Sequence, residues 1–128
     1  MTAKLQVILA LWLCLSAPGC RRGAMIQVDR SANGTQTVLT AGQTLEISLP
    51  ENPTTGFRWE LKSAAEPVCA ARGDSFDAPP PGIGKGGTHG WRFEAIGKGT
   101  GNIELVYRRA WEQDKPPAET FRLTVRVE

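Results

Sequence analysis

From Thr120 to Glu128, apolar and polar residues alternate without a break. Phe121, Leu123, Val125 and Val127 fall on one side of an extended chain, and Thr120, Arg122, Thr124, Arg126 and Glu128 fall on the other. A period of two marks a strand with one buried face and does not suit a helix. The pattern recurs in Leu45, Ile47 and Leu49, in Phe57, Trp59 and Leu61, in Trp91, Phe93 and Ala95, and in Ile103, Leu105 and Tyr107. Shorter candidates are Ile26–Val28, Gln36–Leu39 and a stretch between Val68 and Phe76. The 14 Gly and 9 Pro of the 128 residues cluster between these segments and leave little room for a long helix. Eight short strands with one apolar face each predict an all-β domain. Its expected form is an immunoglobulin-like antiparallel β-sandwich of seven to eight strands, with a closed barrel as the competing architecture. Asn33-Gly34 reads as a two-residue turn joining the first two strands. By their parity Trp59 and Trp91 belong to the core. Cys69, within the apolar run Pro67-Val68-Cys69-Ala70-Ala71, reads as a small buried residue.

The first twenty residues follow another logic. Lys4 precedes an apolar run from Leu5 to Leu15, broken only by Gln6, and Ser16, Ala17, Pro18 and Gly19 lead up to Cys20. This is the order of a secretory signal. The run is about half of the roughly 20 residues that span a bilayer, and no other stretch is long enough. Ala17-Pro18-Gly19-Cys20 resembles a bacterial lipobox, although that pattern prefers Leu where this chain has Ala17. We therefore expect residues 1–19 to be a lipoprotein-type signal peptide, Cys20 to carry lipid, and residues 20–128 to form one exported domain of the cell envelope. If Cys20 is acylated, Cys69 is a lone thiol, because Cys14 leaves with the signal.

Composition and motifs exclude several functions. The 15 basic and 13 acidic residues alternate singly, so there is no basic stripe for nucleic acid. His89 is the sole histidine and has no second ligand at metal spacing, so neither a metal site nor a cofactor is expected. A thiol and base pair from Cys69 and His89 would place the thiol in a strand of unknown depth, and we do not expect an enzyme. Gly82-Ile83-Gly84-Lys85-Gly86-Gly87-Thr88 has the look of a phosphate loop. However, Gly86 follows the lysine where Ser or Thr should stand, and a strand pattern follows where a helix is needed. Its glycines either shape a recognition loop or serve a flexible one.

If successive strands reverse direction, the connections after the third, fifth and seventh emerge at one end of the domain. These are Pro50 to Gly56, Asp77 to Gly90 and Arg109 to Glu119, each richer in Pro, Gly or Trp than a turn requires. Long loops grouped on a rigid scaffold are an arrangement for recognition. Trp111 falls outside the alternation of both neighbouring strands and is either an exposed interface residue or a cap on the core.

Three motifs in these loops together resemble the chagasin-like family of cysteine-peptidase inhibitors. Asn52-Pro53-Thr54-Thr55-Gly56-Phe57 is similar to the family's wedge loop, Gly84-Lys85-Gly86-Gly87 to its G-x-G-G loop, and Arg109-Ala110-Trp111 to its R-P-W loop. Ala110 stands where the family has proline, which leaves that loop less rigid. The resemblance spans roughly Leu39 to Val127. It implies an immunoglobulin-like sandwich that inhibits papain-like cysteine peptidases reversibly, without covalent chemistry, and as a monomer. Thr54 and Thr55 would then enter the active-site cleft, Gly86 and Gly87 would allow close main-chain approach, and Trp111 would stack on the enzyme beyond the cleaved bond. Asn52 is expected to brace its own loop, since Asn side chains readily bond turn backbone. The competing class is an exported interaction or adhesion module that uses the same loops for another ligand.

Overall fold

The computed structural model of the protein describes residues 25–78 and 86–128. The signal segment, Cys20, Gly84 and Lys85 lie outside them. The chain forms eight strands: β1 (Met25–Val28), β2 (Gln36–Leu39), β3 (Thr44–Glu51), β4 (Phe57–Ala64), β5 (Cys69–Asp77), β6 (Gly87–Ala95), β7 (Gly99–Arg109) and β8 (Glu119–Val127). They make two four-stranded sheets, ordered β1-β3-β6-β5 and β2-β8-β7-β4. The inward residues of the alternating segments meet between them. Leu45, Ile47, Leu49, Phe93, Ile103, Leu105, Leu123 and Val125 are fully buried, with Trp59 and Trp91 beside them. Arg122 and Arg126 on the opposite face of β8 are exposed. The all-β sandwich predicted from period two is the observed architecture.

Two local expectations are corrected. The inner ladders are antiparallel, but β1 joins β3 and β2 joins β8 in parallel at the sheet edges. β1 and β2 therefore lie in different sheets, and Asn33-Gly34 does not close a hairpin between them. The chain instead crosses over through a 3-10 turn at Arg30–Ala32. Gly34 takes φ +81°, and Asn33 Oδ1 accepts the Arg122 amide at 2.8 Å, so the pair anchors the crossover on β8. Two-residue turn chemistry fixes local backbone, but burying one apolar face in each sheet decides which strands pair.

The second correction concerns β6, which begins at Gly87, four residues before Trp91. His89 is therefore a strand residue and not a loop residue. Gly87 and Gly90 carry no side chains, so they conceal the alternation there. The stretch expected between Val68 and Phe76 is β5, an edge strand exposed along most of its length, and its sequence accordingly shows little alternation.

Cys69 is 1% exposed at the start of β5, and burial pushes its thiol pKa up. It pairs with Ala95, whereas His89 pairs with Phe76 near the other end of the same ladder, which removes a Cys69–His89 dyad. The thiolate is the reactive form, so Cys69 should resist iodoacetamide at pH 8 in the folded protein and alkylate once guanidinium unfolds it. Mass spectrometry of the Cys69 peptide measures this, and rapid labelling of the native state would contradict the buried assignment.

Candidate functional site

β3, β5 and β7 end at the same end of the sandwich, as the parity argument expects. Arg109 Nε donates to the Thr55 carbonyl at 3.2 Å, joining the third connection to the first. A methyl group built on Gly56 would lie 2.5 Å from the Trp111 ring, so the indole rests directly over that glycine. Gly86, the last residue before β6, packs closely against the start of the first connection: a methyl there would lie 2.8 Å from the Glu51 carbonyl and 3.0 Å from Asn52 Cβ.

The loop between β3 and β4 is held by its own short polar residues. Asn52 caps a 3-10 turn at Pro53–Thr55, and its Oδ1 accepts from the Thr54 amide at 3.2 Å and the Thr54 hydroxyl at 2.6 Å. The Thr55 hydroxyl donates to the Asn52 carbonyl at 2.8 Å and accepts the Phe57 amide at 3.3 Å. Asn52 thus braces its loop, as its chemistry predicts. Pro53 fixes one backbone angle of the turn, and Gly56 closes it at φ +84°, a region that penalises other residues. Thr54 and Thr55 remain exposed at the tip.

Aromatic packing supports both flanks of the loop. The Arg109 guanidinium lies 4.4 Å from the centroid of Phe57 and 5.9 Å from that of Trp111. Phe57 stacks on Tyr107 at 5.3 Å, and Tyr107 meets Trp59 at 4.8 Å. Trp111 is 69% exposed, which resolves its two readings in favour of the surface one. Gly87 is the first residue of β6, where an added methyl would collide with the Asp77 carbonyl and the Phe76 ring. The domain's own packing therefore requires glycine at Gly86 and at Gly87.

Sequence reasoning missed the residues beneath the loops. Glu51 is 3% exposed and accepts the Trp59 amide at 2.9 Å. His89 Nδ1 lies 3.1 Å from the same Glu51 oxygen, and Nε2 lies 2.6 Å from Asp74. The His89 ring stacks on Trp91 at 3.9 Å with 6° between planes. Parity held the signal. Glu51 continues the inward series Leu45, Ile47, Leu49, and His89 continues Trp91, Phe93, Ala95 backwards, so both are placed to face inward.

The sandwich presents a braced tip of two exposed threonines, flanked by an exposed Trp and an Arg. The family model described as Chagasin family peptidase inhibitor I42 matches residues 38–125, and the chain belongs to that family. It is 29% identical to Chagasin of Trypanosoma cruzi over 106 residues, covering 79% of this chain and 96% of that protein. It is 36% identical to Amoebiasin-1 of Entamoeba histolytica over 97 residues, covering 75% and 93%. The crystal structure of the cysteine protease inhibitor EhICP2 from Entamoeba histolytica superposes with a TM-score of 0.74 at 20% identity, covering 88% of this chain and all of that one. The chain is therefore a chagasin-family protease inhibitor and not an enzyme.

Proposed function

We propose that the chain inhibits papain-like cysteine peptidases reversibly and without covalent chemistry. Thr54 and Thr55 of loop 52–57 fill the active-site cleft. The Gly84–Gly87 segment lies along one wall, and Arg109 with Trp111 lies along the other. The observation that carries this reading is the state of loop 52–57 before a partner arrives. Its tip is bonded to its own Asn52, its carbonyl at Thr55 is held by Arg109, and Trp111 rests on Gly56. A loop already ordered loses little further freedom on binding, which leaves more of the contact energy as affinity. It also offers the enzyme's nucleophilic cysteine no electrophile beyond ordinary peptide carbonyls and no thiol for disulfide exchange. The family's inhibitors are directed at papain-type enzymes, and the residues at 52–57 and 109–111 resemble the family's own loops.

Two altered forms of a papain-type peptidase separate cleft occlusion from binding elsewhere. An enzyme whose catalytic cysteine is replaced by alanine should bind the protein as well as the active enzyme does, because no bond to sulfur is needed. An enzyme whose cleft is filled by an irreversible peptidyl inhibitor should not bind. Equal binding to both forms would place the contact outside the cleft.

Ala110 offers an improvement. It follows β7, its carbonyl accepts from Gln113 Nε2 at 3.1 Å, and its amide makes no hydrogen bond among the described residues. Ala110→Pro should therefore tighten inhibition by up to about tenfold through a stiffer loop, read as a lower inhibition constant. A weaker constant would show that the backbone there is not compatible with proline.

We further propose that the protein is an exported lipoprotein of the bacterial envelope, anchored through Cys20, as the order of Lys4, apolar run and Ala17-Pro18-Gly19 suggests. Mass spectrometry of the mature protein should find acylated Cys20 at its N-terminus. An unmodified Cys20, or a different first residue, would mean that the inhibitor is released.

A further inference from the structure

Glu51 sits where a core residue is expected. Leu45, Ile47 and Leu49 precede it on the same face of β3, and it is the one buried charged side chain among the described residues. Burying a carboxylate is costly unless it is paired and hydrogen-bonded. Its contacts supply a reason for a charge here. β3 and β4 enter and leave the 52–56 loop but belong to different sheets, so no backbone ladder joins them. β4 is an edge strand, and the amide of buried Trp59 turns away from its sheet to Glu51 Oε1 at 2.9 Å. The Trp59 indole donates in the same direction, to the Pro50 carbonyl at 2.9 Å. His89, stacked on Trp91 and in contact with Asp74, stands 3.1 Å from the same Glu51 oxygen and fixes where it points.

We propose that Glu51 is a positioning residue for inhibition: its buried carboxylate, held by His89, clamps the strand before the wedge loop to the strand after it and so sets the loop's shape. This rests on the reading of loop 52–57 as the inhibitory wedge. The wedge tip is braced internally by Asn52, but those bonds do not fix the distance between the two strands that carry it. The Glu51 and Trp59 contacts do, because they join the sheets directly below the tip. Removing the carboxylate leaves the Trp59 amide without a partner and the loop base free to spread. Binding must then restore the order that the free protein has lost.

The test compares wild type, Glu51→Leu, Glu51→Gln and His89→Ala by inhibition constant against a papain-type peptidase, by melting temperature, and by hydrogen exchange at the Trp59 amide. Glu51→Leu continues the apolar series and should fold, with a melting temperature lowered by several degrees because the Trp59 amide loses its acceptor. It should nevertheless inhibit about tenfold more weakly and exchange its Trp59 amide much faster, with the amides of β7 and β8 unchanged. Glu51→Gln keeps an acceptor for that amide and should stay within about threefold of wild type. His89→Ala should fall between them.

A folded Glu51→Leu that inhibits like wild type overturns the proposal, as does a Glu51→Gln as impaired as Glu51→Leu. If Glu51→Leu does not fold, Glu51→Gln and His89→Ala decide by the same criteria, and unchanged Trp59 exchange in His89→Ala counts against the clamp. Exchange at Trp59 reads the clamp in the free protein and needs no target. Failure of wild type to inhibit any papain-type enzyme would instead remove the wedge reading itself.

Discussion

Thr55→Arg is expected to abolish peptidase inhibition while leaving a folded domain. Thr55 is exposed at the tip of the 52–57 loop, so its side chain does not support the core. Its hydroxyl does make two local bonds, to the Asn52 carbonyl and from the Phe57 amide, each worth about 1 kcal/mol net. Both groups are accessible to water, so the melting temperature should fall by only several degrees. If Thr55 enters the cleft as proposed, the same substitution forces a long cation into the space that its short side chain would fill. The clash and desolvation should exceed about 4 kcal/mol, or roughly a thousandfold in inhibition constant. Inhibition constants and thermal unfolding of the two proteins test this together. Unchanged inhibition would remove Thr55 from the wedge, and a collapse in melting temperature would make it structural instead.

Trp111→Ala should weaken inhibition by roughly thirtyfold, about 2 kcal/mol, with almost no change in stability. The indole is 69% exposed and rests on Gly56, so truncation opens no cavity in the core. Loss of a core tryptophan would cost about 3–5 kcal/mol of stability, and thermal unfolding distinguishes the two cases sharply. The remaining contact of the Arg109 guanidinium with Phe57, at 4.4 Å, should keep the wedge braced in the variant. A variant that inhibits as well as wild type would take the 110–118 connection out of the site. A marked drop in melting temperature would show that Trp111 caps the fold.

The sandwich was legible because β3, β4, β7 and β8 each bury one face, which period two reports directly in Leu45 through Leu49 or Phe121 through Val127. What escaped did so for physical reasons. β5 is an exposed edge, so nothing selects an alternating pattern in Ala70 to Phe76. The start of β6 reads as loop because Gly87 and Gly90 have no side chain to carry the signal, although collision with Asp77 and Phe76 requires the first of them. The parallel pairings of β1 and β2 depend on which edge each short strand covers, and neither residue identity nor turn chemistry encodes that. At the site, the tip was legible from Asn52, Pro53 and Gly56, whose turn chemistry is local. The base was not: Glu51 and His89 look like solvent residues by type, and only extending the strand parity by one step places them inside.

The most direct test of the central claim is a titration of a papain-type peptidase of known active-site concentration with the purified protein, followed with a small fluorogenic substrate. Reversible occlusion predicts that activity falls in proportion to added protein until the two are equimolar. Excess substrate should relieve the inhibition, and intact protein should be recovered from the complex. Full activity in the presence of a large excess of the protein, or loss of activity that substrate cannot relieve, would contradict it.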